Sequence, residues 1–160
     1  MVTKTSNLVV EKFLILSSRI DCVPFSGTDV VKFSQDDNID VQYTIYNSGK
    51  NKNKFKIFIN FRNNSPENPN PKSGYKIDLI TEGNFRFLDV PSGDDNYIPL
   101  SLMASALPMM INNVRMYLFQ TTCFHPYGNY HLPSIDLKDL IEKHNNMQVL
   151  NKKQKKSRKN

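Results

Sequence analysis

The sequence predicts an α+β fold: a four-stranded antiparallel sheet followed by a long Pro-kinked helix and a short C-terminal helix. Three observations carry this. Four segments before residue 90 read as strands, with no helical period among them. The links between the later strands are short, which favours antiparallel pairing. From Pro99 onward the apolar residues recur at three- and four-residue spacings, the signature of a helix. A sheet with one apolar face needs a cover, and the helices supply it.

The first strand runs from Leu8 to Leu16, rich in Val, Ile, Leu and Phe. Arg19 to Phe25 can extend it past an irregular point at Ser17-Ser18. A loop with Gly27 and the acidic pair Asp36-Asp37 follows. Ile39, Val41, Tyr43 and Ile45 then alternate with Asp40, Gln42 and Thr44, and the Asn- and Gly-containing segment 47–53 suits a hairpin. In the third strand Phe55, Ile57, Ile59 and Phe61 oppose Lys54, Lys56, Asn60 and Arg62. Pro66, Pro69 and Pro71 make the next stretch a loop. The fourth strand sets Tyr75, Ile77 and Leu79 against Lys76 and Asp78, and reaches Phe85 or Phe87 through an expected bulge at Gly83. Between Pro99 and Gln120, Leu100, Met103, Leu107, Met110, Ile111, Val114 and Leu118 share a helix face, with a kink or break due at Pro108. Asp136 suits the N-cap of the last helix, with Leu137, Leu140 and Ile141 on one side and Asn145-Asn146 at its end.

A chain of 160 residues has room for one domain, here residues 1–148, with 149–160 expected to be a disordered basic tail. The net charge of +6 resides in that tail. Lys152, Lys153, Lys155, Lys156, Arg158 and Lys159 are six of the 21 cations, and the remaining 15 balance 15 anions. The tail has three readings: phosphate contacts to nucleic acid, association with anionic lipid or an acidic partner, or a solvated terminus. The folded part shows no aromatic-plus-basic stripe, so nucleic acid is expected only through the tail.

Two cysteines, Cys22 and Cys123, make no disulfide framework. The polar residues 1–7 give no secretory signal. The longest apolar stretch, Ile98 to Ile111, is interrupted by Ser101, Ser105 and Pro108, so no membrane insertion is expected. A cytoplasmic, reducing setting is the simple expectation.

Cys123, His125 and His131 share one loop, but three ligands without a Cys-x-x-Cys pair or a nearby carboxylate fall short of a zinc site. Neighbouring Cys123 and His125 rarely place thiolate and base together, and nothing marks an oxyanion site. No phosphate loop or nucleophile elbow is present, and Asp94-Asp95 reads as a turn. No enzyme, metal or cofactor is expected.

The loop after the main helix is unusually aromatic. Phe124, Tyr127 and Tyr130 fall within seven residues, beside Leu132. One reading packs them under the loop as a satellite core. The other makes them a partly exposed groove, since aromatics give large contact area at small entropic cost. Met103, Met109, Met110 and Met116 on the preceding helix would add an adaptable surface.

The segment Ile77-Asp78-Leu79-Ile80-Thr81-Glu82-Gly83-Asn84-Phe85 resembles the last strand of the SecB family of protein-export chaperones. Ala106-Leu107-Pro108-Met109-Met110-Ile111-Asn112-Asn113-Val114-Arg115 is similar to that family's Pro-interrupted main helix with its arginine. Phe124 and Leu132-Pro133-Ser134-Ile135-Asp136-Leu137 resemble its loop into the last helix, while Phe13, Ile15 and Val23-Pro24-Phe25 resemble its first strand. The resemblance covers Phe13 to His144. It implies a homotetramer, a dimer of dimers joined by the outer face of the main helix. Such a protein holds unfolded or precursor polypeptides in apolar grooves without ATP, in export or beside a toxin–antitoxin pair. It implies client-binding roles for Phe25, Phe33, Phe124, Tyr127, Tyr130 and Leu132. Of three acidic positions that dock the export ATPase SecA in the family, this chain has Cys22 and Ser26 at two and keeps only Asp78.

Overall fold

The structure, a computed structural model, describes residues 7–24, 39–47, 53–64, 74–88 and 105–146. They form strands β1 (Leu8–Val23), β2 (Ile39–Asn47), β3 (Lys54–Asn63) and β4 (Gly74–Phe87), then helices α1 (Leu107–Thr122) and α2 (residues 137–146). The sheet order is β1-β4-β3-β2, and each neighbouring pair is antiparallel. Strands β2 to β4 make a meander. Because β1 lies beside β4, the connection from β1 to β2 crosses from one edge of the sheet to the other. The predicted fold class, a four-stranded antiparallel sheet followed by two helices, is what the chain builds.

Alternation decides the faces, as expected for β3 and β4. Phe55, Ile57, Ile59 and Phe61 of β3 join Tyr75, Ile77, Leu79, Phe85 and Phe87 of β4, all 5% exposed or less. Phe55 and Phe85 stack at 5.3 Å between ring centroids. The long strand β1 departs from simple alternation. Its pairing with β4 slips between Val10 and Lys12 and again between Ile15 and Ser17, so Glu11 and Leu16 are extra residues. Each bulge flips the parity. Leu8 and Val10, then Phe13 and Ile15, then Ile20 and Cys22 therefore all pack against one core. The bulge at Leu16 lies beside the expected irregular point at Ser17, and it leaves Leu16 half exposed.

The expected bulge at Gly83 is not there. The β3–β4 register runs unbroken through Ile57↔Gly83, and the bulges sit on β1 instead. Glycine answers a different need at this position, the approach of α1. A Cβ on Gly83 would stand 2.7 Å from the Phe85 ring and closer still to the Met110 sulfur. Gly83→Ala should therefore destabilise the fold by about 1–3 kcal/mol through overpacking. Denaturant unfolding of the two proteins measures this directly.

Helix α1 covers the sheet with Leu107, Met110, Ile111, Val114 and Leu118, the face its spacing predicts. Leu100 and Met103 lie outside the described residues. Pro108 stands in the first turn, where its missing N–H has no helical partner to lose. Ser105 and Ala106 adopt a wider, π-type turn just before it. Among the described residues, the break expected at Pro108 is thus the start of the regular helix.

Asp136 caps α2 as predicted, its Oδ1 accepting the N–H groups of Lys138 at 2.9 Å and Asp139 at 3.2 Å. Leu140 packs into the core, with Leu137 and Ile141 beside it. His144 stacks on Tyr43 of β2, 4.2 Å between centroids. Burial holds His144 below its ordinary value, favouring the neutral ring in the folded state. The unfolded chain therefore takes up the proton first as pH falls through about 6.5, and stability is lost from there down to the lowered folded value. Melting temperature followed against pH should show this loss, and His144→Leu should flatten it.

Candidate functional site

The residues joining α1 to α2 are bound to the sheet at several points. The buried Thr122 hydroxyl donates to Leu118 O at 2.7 Å and accepts the Tyr130 N–H at 2.7 Å, tying the loop to the end of α1. Asn129 Nδ2 donates to Phe119 O at 3.0 Å, and Arg115 Nε donates to Leu132 O at 3.2 Å. A turn is closed by His125 N–H to Thr122 O at 2.9 Å and Gly128 N–H to His125 O at 3.0 Å. Gly128 has φ +72°, a conformation that suits glycine.

Tyr75 is the centre of this arrangement. Its ring meets Tyr127 and Tyr130 edge-on, both at 5.8 Å, and His125 at 5.9 Å. Its hydroxyl donates to Gly128 O. Asn64, at the end of β3, fixes the Tyr75 backbone by donating from Nδ2 to its carbonyl at 2.8 Å. Tyr130 also meets Phe61 edge-on, and burial pushes its phenol far above the ordinary range. Tyr127 donates its hydroxyl to Val23 O at 2.9 Å. That bond places the aromatic loop beside the point where the β1–β2 connection leaves the sheet.

The predicted site residues thus divide. Tyr127 and Tyr130 come together, half-buried, around Tyr75, with Tyr130 also on Phe61, and Leu132 is buried in the same core. Phe124 does not join them. It stands at the loop tip with 96% of its surface exposed. Phe25 and Phe33 lie outside the described residues, as do Ser26, Met103 and the tail. Cys22 faces inward from β1, its Sγ 3.7 Å from His125 Nδ1. Asp78 is on the opposite face, 3.7 Å from Arg62 Nε. The two described positions compared with SecA-docking residues therefore do not share a surface. The three candidate metal ligands of the loop also diverge: Cys123 is exposed, His125 turns to Cys22 and Tyr75, and His131 packs on Phe119. Sequence reasoning missed Tyr75, whose alternation marks it only as core, and Thr122, a plain helix-end threonine.

Two further surfaces adjoin the loop. The outer side of α1 carries Met109 (38% exposed), Met116 (47%) and Phe119 (39%), with Asn112 and Cys123 completing a seven-residue spacing. At the other end of the loop, the edge strand β2 and α2 enclose an open cleft of about 360 Å³. Ile39, Val41, Ile135 and Leu140 give it an apolar lining, and Asp40, Asp136, Asp139 and Lys143 its charged groups, with Lys143 paired to Asp139 at 2.7 Å. No further strand pairs with the outer edge of β2 among the described residues.

Comparison with solved structures gives the fold a relative. The SecB-like chaperone of Mycobacterium tuberculosis, in complex with a ChAD peptide from the HigA1 antitoxin, matches with a TM-score of 0.52 at 11% identity, over 81% of this chain and 91% of that one. The fold is SecB-like. A protein of unknown function from Streptococcus agalactiae matches with a TM-score of 0.49 at 7% identity, over 79% of this chain and 97% of that one. No family model matches the sequence, and no curated protein does. No helix among the described residues is long and apolar enough to cross a membrane.

Proposed function

We propose that this protein is a non-enzymatic, ATP-independent chaperone that holds unfolded or precursor polypeptides. The observation that carries the reading is Phe124: a fully presented aromatic on a loop that is itself bound down by Tyr75, Tyr127 and Thr122. A mobile loop would hide such a ring by collapse. An anchored one keeps it available to apolar segments that only non-native chains expose. The SecB-like fold supports the reading, as does the antitoxin peptide bound to the mycobacterial neighbour.

An extended client has a second foothold on the same molecule. Its backbone can add to the outer edge of β2, which no described strand occupies, with alternate side chains resting on Ile39, Val41 and Leu140. Many weak contacts of this kind accept many sequences. Phe25 and Phe33 belong to the proposed client surface through the β1–β2 connection. Tyr127, Tyr130 and Leu132 serve it as the platform that supports Phe124. Self-association as a dimer of dimers would use the Met109–Met116–Phe119 stripe. Export through SecA has only the ion-paired Asp78 in its favour, so a client polypeptide or an antitoxin-like segment is the partner proposed, in the cytoplasm.

The test is aggregation of a chemically denatured client diluted into buffer without nucleotide. The protein should slow the rise of light scattering at near-stoichiometric ratios. An unchanged scattering curve, with the protein folded, would remove the proposal.

A further inference from the structure

Cys22 and His125 are 103 residues apart in the chain, yet the Cys22 sulfur lies 3.7 Å from His125 Nδ1. Both side chains belong to partly exposed residues. The pair has the chemistry of an activated thiol. The thiolate is the reacting form of cysteine. An imidazole within hydrogen-bonding reach can take the thiol proton and hand it on. Nothing in the chaperone reading uses this chemistry. The core does not need it either, because a small apolar side chain would pack in place of the thiol.

The pair also sits where the aromatic loop is latched to the sheet. Cys22 is opposite Tyr75 in the β1–β4 register. The Tyr75 ring meets the His125 ring at 5.9 Å. The next residue of β1, Val23, accepts the Tyr127 hydroxyl at 2.9 Å. Cys22 is thus the nucleophilic atom of the seam between β1 and the loop. A group attached to its sulfur occupies the place where His125 meets β1, and parts the two.

We propose that Cys22 is a reversible modification site for small disulfides of the glutathione type, and that the adduct unlatches the aromatic loop. His125, with its own proton on Nε2, accepts the thiol proton at Nδ1. The Cys22 thiolate attacks one sulfur of the small disulfide. A protein–small-thiol disulfide forms as the old S–S bond breaks. The leaving thiolate takes the proton back from His125 and departs as free thiol. Cys22 is oxidised and the departing sulfur reduced, so the small disulfide is the oxidant. Excess free thiol runs the exchange backwards. The bulky adduct separates His125 from Cys22, and the loop contacts to Tyr75 and Val23 loosen with it. Any effect on clients rests on the chaperone reading above; the adduct and the loosened loop do not.

Incubation of the full chain with oxidised glutathione, followed over time by peptide mass spectrometry, tests this. Cys22 should acquire the adduct faster than Cys123, although Cys123 is the more exposed. His125→Gln, with an unchanged circular dichroism spectrum, should slow Cys22 about tenfold or more. If His125 merely shields the sulfur, the same substitution speeds Cys22 instead. In a Cys123→Ser protein, the Cys22 adduct should raise hydrogen exchange in residues 123–130 while the sheet stays protected, and dithiothreitol should reverse the rise. Faster modification of Cys123 than of Cys22 would overturn the proposal. So would a Cys22 rate unchanged or raised in His125→Gln, or an adduct that leaves exchange in residues 123–130 as before. A protein that forms the adduct and loosens its loop but holds no client would support this site and refute the chaperone reading alone.

Discussion

Phe124→Ser should leave the protein as stable as the parent and sharply impair its hold on unfolded clients. The side chain is 96% exposed, so its removal takes almost no buried surface from the fold. Substitutions at such positions change stability by about 0.5 kcal/mol or less. An exposed aromatic anchor in a recognition surface carries about 2 kcal/mol or more of binding when truncated, roughly a thirtyfold loss in affinity. Melting temperature and the affinity for a labelled, permanently unfolded client separate the two effects. Equal affinity in parent and variant would take Phe124 out of the client surface.

Tyr75→Ala should do the reverse, damaging the fold first and function as a consequence. Tyr75 is 5% exposed and touches three loop rings. Truncating a buried aromatic costs about 3–5 kcal/mol, enough to unfold many domains of this size. Tyr75→Phe keeps the ring and loses only the hydroxyl, leaving Gly128 O without that donor, at about 1–3 kcal/mol. Urea midpoints should therefore fall in the order parent, Tyr75→Phe, Tyr75→Ala. Hydrogen exchange in residues 123–130 should rise in the Phe variant before the sheet loosens. A Tyr75→Ala protein as stable as the parent would show that the loop does not depend on this ring.

The contrast between these two side chains shows what sequence can and cannot tell. Phe124 and Tyr127 are three residues apart in one aromatic run, and composition treats them alike. Only the fold separates them: Tyr127 finds the carbonyl of Val23, 104 residues away, while Phe124 is 96% exposed and finds no partner among the described residues. The strands β2, β3 and β4 were legible because a one-sided core imposes period two on each. Strand β1 was less so, since bulges at Glu11 and Leu16 shift its inward set twice. Gly83 misled for a related reason. A glycine inside a strand signals either a bulge or a close approach, and the partner that approaches, Met110, belongs to a helix 27 residues on. The cap at Asp136 is a local interaction and was readable locally. Long-range clamps such as Tyr75 to Gly128, Arg115 to Leu132 and Cys22 to His125 leave no periodic trace.

Photocrosslinking from position 124 tests the central claim most directly. A benzophenone amino acid replacing Phe124 keeps the bulk and the exposure while reporting whatever lies within reach. With a client that can be presented folded or unfolded, in buffer without nucleotide, irradiation should yield a covalent adduct with the unfolded form and little with the folded one. Absence of the adduct with the unfolded client, or equal yields with both forms, would contradict the account of an anchored loop that presents Phe124 to non-native polypeptide.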